Sequence, residues 1–195
     1  MQKANGANGD GRWTFFREFV KHPLQIGSVI PSSHFLERRV VEAARIRSAR
    51  TIVELGPGCG GTTRALLREA SPRSRVLCIE LNPRLHALVS GIDDERLIVH
   101  LGGALSLRET LSRYGLDAPD AVVSGIPFST MSAASGSQIV REVSAVLAPG
   151  GCFVAYQLSG RVAELCRPVL GAERVELELR NLPPMRVYRW AKAKD

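Results

Sequence analysis

An α/β fold, a doubly wound and mostly parallel sheet with helices on both faces, is what the sequence predicts, and three observations predict it. Short apolar runs alternate with stretches of helical periodicity along most of the chain, the pattern of repeated β-α units. One run, Thr51-Ile-Val-Glu-Leu55, passes straight into Gly56-Pro-Gly-Cys-Gly-Gly61, a turn whose missing side chains let a ligand approach the backbone. The next run, 75–81, carries Glu80 near its tip, where a carboxylate can accept hydrogen bonds from both hydroxyls of a ribose. A helix opening near Thr62 or Thr63 aims its free N–H groups at the same place. The predicted ligand is a nucleoside-containing cofactor.

Taken in order, residues 1–11 are polar and glycine-rich and predict a loose tail. Residues 12–22 place Trp13, Phe16 and Val20 at helical spacing, with Phe15 and Phe19 beside them and Arg12, Arg17 and Lys21 flanking. Such an amphipathic helix packs over the cofactor site or sheet, or lies in a membrane interface with its cations near lipid phosphates, and the two roles are not exclusive. Pro23 closes it, and Ser32 or Ser33 caps a second helix over 34–47. Strand 51–55 and its helix to about 70 follow, then strand 75–81. Asn82-Pro83 opens a helix to about 91. Strand 97–101, a short helix at 106–114, strand 120–124, a helix at 138–147, strand 152–158 and a helix at 161–169 continue the alternation. The runs 174–179 and 186–191 break it, because no helix separates them, and predict a hairpin at the sheet edge. The chain therefore divides into a tail (1–11), N-terminal helices (12–47) and a seven-stranded sheet domain (48–195).

At 195 residues the chain suits one sheet domain with a full core. There is little room for the second substrate domain of a dinucleotide dehydrogenase. Hydrophobic and charged fractions of 45% and 23% are those of a soluble globular protein. No apolar run is long enough to span a membrane and no export signal is visible, so a cytoplasmic protein is expected. The formal charge of +7 favours anionic partners, nucleic acid or an acidic membrane surface. Cys59, Cys78, Cys152 and Cys166 form no CxxC pair and have no histidine at metal spacing, so no metal site is expected. Cys78 and Cys152 read as small core residues, whereas Cys59 lies in the glycine turn.

Two cofactors fit the turn. Gly56, Gly58 and Gly61 satisfy the G-x-G-x-x-G spacing of dinucleotide binders. Glu54, two residues before Gly56, gives instead the E-x-G-x-G-x-G pattern of methyltransferases that bind S-adenosylmethionine. With the closing hairpin in place, the chain over 48–195 resembles the class I S-adenosylmethionine-dependent methyltransferases. More narrowly, it is similar to soluble bacterial phospholipid N-methyltransferases, which make phosphatidylcholine from phosphatidylethanolamine. Three segments carry that narrower likeness: Phe16 with Pro23-Leu-Gln-Ile-Gly-Ser-Val-Ile-Pro-Ser-Ser33, Val53-Glu-Leu-Gly-Pro-Gly58, and Asn181-Leu-Pro-Pro-Met-Arg-Val-Tyr188. Ornithine-lipid N-methyltransferases and ribosomal RNA adenine dimethyltransferases share the same core and stand as alternatives.

The resemblance implies a Rossmann-like sheet with one antiparallel strand from the C-terminal hairpin. It also implies S-adenosylmethionine as cofactor and an aminophospholipid at an anionic membrane surface as partner. The cofactor set it implies is Ser33, Glu54, Gly56, Pro57, Gly58, Gly60, Glu80, Leu81, Gly103, Ala104 and Ser124. The segment facing the reacting methyl is Gly125, Ile126, Pro127 and Phe128, with main-chain carbonyls near Pro127 orienting the acceptor and Phe128 offering it a π face. Two departures stand out. Gly102-Gly103-Ala104 replaces a common Gly-Asp-Ala, leaving adenine to main-chain groups or to packing by Leu81 and Leu105. Gly125-Ile-Pro-Phe128 replaces the Asn-Leu-Pro-Tyr of adenine dimethyltransferases, which removes an acceptor for a base amino group. If a general base exists, His34 and Tyr188 are its candidates.

Overall fold

The computed structural model describes residues 33–194; the tail expected over 1–11 and the aromatic helix expected over 12–22 lie outside them. Seven strands, β1 (Thr51–Leu55), β2 (Arg75–Glu80), β3 (Leu97–Leu101), β4 (Ala121–Ser124), β5 (Cys152–Gln157), β6 (Arg174–Glu178) and β7 (Met185–Ala191), form one sheet. Their order is β3-β2-β1-β4-β5-β7-β6. The pairings among β1 to β5 are parallel, and β7 inserts antiparallel between β5 and β6, as the hairpin expectation required. The helices are α1 (His34–Ala43), α2 (Gly61–Glu69), α3 (Pro83–Ser90), α4 (Leu107–Arg113), α5 (Ala133–Val146) and α6 (Arg161–Leu170).

Side-chain alternation along the strands divides the apolar residues into two layers. Val53, Leu55, Leu77, Ile79, Val122, Phe153 and Trp190 join Leu107, Val140, Val143 and Val162 of α4, α5 and α6 on one face. Ile52, Val76, Val123, Val154 and Val187 join Leu36, Val40, Leu66 and Val89 of α1, α2 and α3 on the other. Both faces of the central strands are covered, which is why these strands read as nearly unbroken apolar runs. The same register puts Glu54, Cys78 and Tyr156 on the α1–α2 face, because they continue the alternation of Ile52, Val76 and Val154.

Two helices depart from their expected bounds. The helix expected over 34–47 stops at Ala43, because Arg45 adopts the left-handed conformation (φ 53°) and a 3-10 turn, Ile46–Ser48, follows. The helix expected from 138 begins at Ala133, capped by Ser132, whose hydroxyl accepts from the N–H of Ser135. Its first turns carry small residues instead of an apolar stripe. A Cβ on Gly136 would fall 2.7 Å from a methyl of Leu165, so α5 and α6 approach through that gap.

The α1 helix belongs to the same compact unit as the sheet. Its Arg39 donates to Glu178 of β6 (Nε to Oε2, 2.9 Å) and also pairs with Glu176. Glu178 is 2% exposed and accepts further bonds from the main-chain N–H and Nε of Arg180, each at 3.0 Å. Those contacts, Arg180 first, hold its carboxyl at about 2, well below its ordinary 4.5. A depressed carboxyl contributes stability that is complete above its unfolded pKa and disappears as pH falls through the native one. Glu178→Gln is therefore expected to lower the urea midpoint at neutral pH, with the deficit shrinking as pH falls from about 4.5 toward 2.

Candidate active site

The order in which the strands are laid down reverses between β1 and β4, and crevices at such switch points, beyond the carboxyl ends of the strands, are where α/β sheets bind ligands. The glycine turn after β1 flanks this crevice on one side and the Gly125–Phe128 segment flanks it on the other. They touch: a Cβ on Gly56 would lie 3.1 Å from the side chain of Ile126.

Gly56, Gly58 and Gly60 have φ of 70°, 58° and 82°, values that only glycine adopts without strain. A Cβ on Gly58 would meet no atom of the described residues within 4 Å. Pro57 is buried and its carbonyl accepts from the N–H of Gly60 (3.0 Å), closing the turn. The α2 helix starts at Gly61 with no side-chain cap, leaving first-turn N–H groups directed at the turn.

Beneath the turn lies Glu54, fully buried, with Oε2 accepting from the Thr63 hydroxyl (2.6 Å) and the Cys78 thiol (3.3 Å). Its other oxygen, Oε1, is buried without a partner among the described residues. Burial raises this carboxyl from 4.5 to about 7, with the Thr63 and Cys78 bonds only partly opposing. Cys78 is driven well above its ordinary range by its own burial. The Glu80 carboxylate, 6% exposed, ties the crevice together: Oε2 accepts from the N–H of Gly58 (3.3 Å) and Oε1 from that of Asn82 (2.9 Å). Asn82 in turn caps α3, with Pro83 in its first turn.

At the tip of β3, a Cβ on Gly103 would again meet nothing within 4 Å, whereas one on Gly102 would strike the His100 ring at 2.6 Å. Ala104 is buried, while Leu81 and Leu105 are exposed apolar side chains near the tips of β2 and β3. Ser33 caps α1, its hydroxyl accepting from the N–H of Leu36 (3.3 Å), and its own N–H donates to Asn181 Oδ1 of the hairpin (2.9 Å).

The segment after β4 differs from expectation in two ways. The carbonyls near Pro127 are already engaged: Ile126 O accepts from Gln157 Nε2 (2.7 Å), and Pro127 O from the N–H and hydroxyl of Thr130. Phe128 is fully buried against α5, so its ring anchors the segment and offers no face to an acceptor. Gly125 is needed for space, because a Cβ there would stand 2.5 Å from the Tyr156 hydroxyl and 2.7 Å from Gly56 O. Ser124 is buried, and its hydroxyl accepts from the N–H of Ile126 (3.3 Å).

Tyr156, Gln157 and Thr62 are site residues that sequence reasoning missed. The Tyr156 hydroxyl pairs with that of Thr62 (3.3 Å) and fills the volume that a side chain at position 125 would need. Burial pushes the phenol up, so it is protonated at neutral pH. The alternation Cys152, Val154, Tyr156 was the available signal, but which strand lies beside which is not written in a local pattern. Of the two suggested bases, His34 is exposed with its ring tilted 38° to that of Phe35, and Tyr188 is buried, donating to Ser159 O at 3.3 Å.

Comparison with known proteins agrees with this geometry. The chain is 30% identical over 177 residues to an ornithine lipid N-methyltransferase of Singulisphaera acidiphila, covering 89% of this chain and 92% of that protein. The chain belongs to the class I S-adenosylmethionine-dependent methyltransferases. This methyltransferase is also 37% identical to ribosomal RNA small subunit methyltransferase A of Methylobacterium radiotolerans, over 64% of its own length and 44% of that protein. Its fold is that of the N-methyltransferase NodS of Bradyrhizobium japonicum in complex with S-adenosyl-L-homocysteine. There the TM-score is 0.67 at 13% identity, over 92% of this chain and 97% of that one. No family model matches.

The cofactor of the methyltransferase is S-adenosylmethionine, and the crevice suits it. The open faces of Gly58 and Gly103 leave room for it, the Glu80 carboxylate stands where ribose hydroxyls are bound, and the unpartnered Glu54 Oε1 lies under the turn. The raised carboxyl also has a consequence for stability. A carboxyl whose native pKa exceeds its unfolded one withdraws stability as pH rises through that interval. Relative to Glu54→Gln, the wild-type protein is expected to lose up to about 3 kcal/mol between pH 4.5 and about 7, read by urea unfolding at a series of pH values.

Proposed function

We propose that this methyltransferase methylates the amine of a membrane aminolipid headgroup, working peripherally at the cytoplasmic membrane face. The observation that carries the reading is similarity to an ornithine lipid N-methyltransferase over 89% of this chain and 92% of that protein. The ribosomal RNA relative matches only 44% of its own length, and the asparagine of the adenine dimethyltransferases is Gly125 here. Ornithine lipid and phosphatidylethanolamine both present a primary amine, and both are acceptors to compare.

When bound, the cofactor supplies an electrophilic methyl group on a sulfonium. The chain's own residues have to hold an uncharged amine in line with it, and good alignment alone is worth about 7–11 kcal/mol. An ammonium of pKa about 9–10 costs about 3–4 kcal/mol to deprotonate at neutral pH. Tyr156 stays protonated and is no base, but its oxygen, held by Thr62, can accept an N–H of the acceptor. Gln157 fixes the Ile126 carbonyl and Phe128 the segment beneath, so the acceptor meets a rigid wall.

The carboxyl edge also supports a lipid partner. Leu158, Leu179 and Leu182 are 45%, 68% and 71% exposed, at the end of β5 and in the β6–β7 turn. Arg186 joins the two loops by donating to Leu158 O at 2.7 Å. With Arg161 and Arg180 nearby in sequence, these side chains form the mixture of apolar and cationic groups that an anionic bilayer surface attracts.

Labelled methyl transfer to vesicles holding phosphatidylethanolamine or ornithine lipid tests the reading. Lipid labelling is expected with one or both, and Glu80→Ala should abolish it together with cofactor binding. A paired Leu179→Ser and Leu182→Ser variant should sediment several-fold less with anionic vesicles while keeping cofactor affinity. Label entering ribosomal RNA and no lipid, with the cofactor bound, would overturn the assignment.

A further inference from the structure

A second site, unrelated to the crevice, lies where the end of α1 meets the β6–β7 edge. A cavity of about 150 Å³ there is lined by Ala43, Arg45, Arg174, Glu176, Val187 and Arg189. It sits on the α1 face of the sheet. Arg189 pairs with Val154, in the amino-terminal half of β5, and Arg174 is the first residue of β6. The cavity is therefore displaced toward the strand ends opposite the glycine turn and lies three strands across from β1.

Three local features there work against stability. Arg174 and Arg189 are direct cross-strand partners, and like charges so placed repel. Arg45 holds a left-handed backbone (φ 53°) at a helix end where glycine would be unstrained. Positive charge is in excess, since three arginines share the lining with one carboxylate. Glu176, the acid in the lining, pairs with Arg39 of α1, and the nearby Asp120 accepts from the main-chain N–H groups of Arg50 (2.7 Å) and Thr51 (3.1 Å). None of Arg45, Arg174 and Arg189 forms an ion pair among the described residues. The buried Cys152 thiol beside Arg189 and Arg45 supplies no charge, since burial keeps it protonated.

Costs of this kind collected in one place mark a functional site. Guanidinium groups match the paired oxygens of a tetrahedral oxyanion, donating two parallel bonds to it. We propose that the Arg45–Arg174–Arg189 notch binds a phosphate-class oxyanion, either inorganic phosphate or the phosphate monoester of an anionic lipid, at a site separate from methyl transfer. Bound there, the anion would relieve the Arg174–Arg189 repulsion and fasten α1 to the sheet edge.

The test uses the whole chain and the double variant Arg174→Gln with Arg189→Gln, with S-adenosyl-L-homocysteine affinity confirming that both are folded. Melting temperature is followed against inorganic phosphate, with chloride at matched ionic strength as reference. In parallel, sedimentation is measured with vesicles of phosphatidic acid and of phosphatidylserine at equal charge. If free phosphate is the ligand, it raises the wild-type melting temperature above chloride and the variant loses at least tenfold in phosphate affinity. If the lipid is the ligand, phosphate has little effect, but phosphatidic acid binding exceeds phosphatidylserine binding and falls several-fold in the variant. As a second variant, Arg45→Gly is expected to melt above wild type in chloride and to respond less to the anion. Equal phosphate responses in wild type and double variant, or no phosphate response with unchanged phosphatidic acid binding, would overturn the proposal.

Discussion

A buried carboxylate sets the geometry on which the rest of the crevice depends. Glu54 lies wholly inside the protein, and its hydrogen bonds from Thr63 and Cys78 join β1, β2 and the first turn of α2. Removing a carboxylate from water is costly unless bonds replace the lost hydration, so these three elements are not free to separate. The chain between Leu55 and Gly61 must then cross a short fixed gap, and positive φ at Gly56, Gly58 and Gly60 is how it crosses. The unpartnered Oε1 is the remainder of that arrangement, a polar atom left for a ligand to satisfy.

The crevice has two halves of different origin. The cofactor half comes from consecutive β-α units: turn, helix start, Glu80, and the Asn82 cap that Glu80 itself holds. The acceptor half is assembled from remote pieces. Tyr156 and Gln157 of β5 reach the segment after β4. A separate long-range bond joins Asn181 of the hairpin to Ser33 at the start of α1. Arg39, Glu178 and Arg180 reinforce that last junction.

Position 125 shows how one half adapts to the other. Glycine there admits the Tyr156 hydroxyl into the volume a side chain would take, so a polar group of β5 reaches the segment after β4. The arginine notch follows the opposite logic, since Arg174 and Arg189 face each other across β6 and β7 and form no ion pair among the described residues.

The sequence by itself determined the seven strands nearly to the residue, the antiparallel hairpin, the glycine turn and the roles open to Glu54 and Glu80. All of these rest on local signals: alternation, glycine spacing and a carboxylate at a strand tip. Helix ends at Ala43 and Ala133 were not legible, because a left-handed arginine and small-residue packing against Leu165 override periodicity. Nor were the burial of Phe128, the engaged carbonyls of Ile126 and Pro127, or the place of Tyr156. Those depend on strand order, which brings residues some thirty positions apart into contact, and only the tertiary structure decides which strands are neighbours.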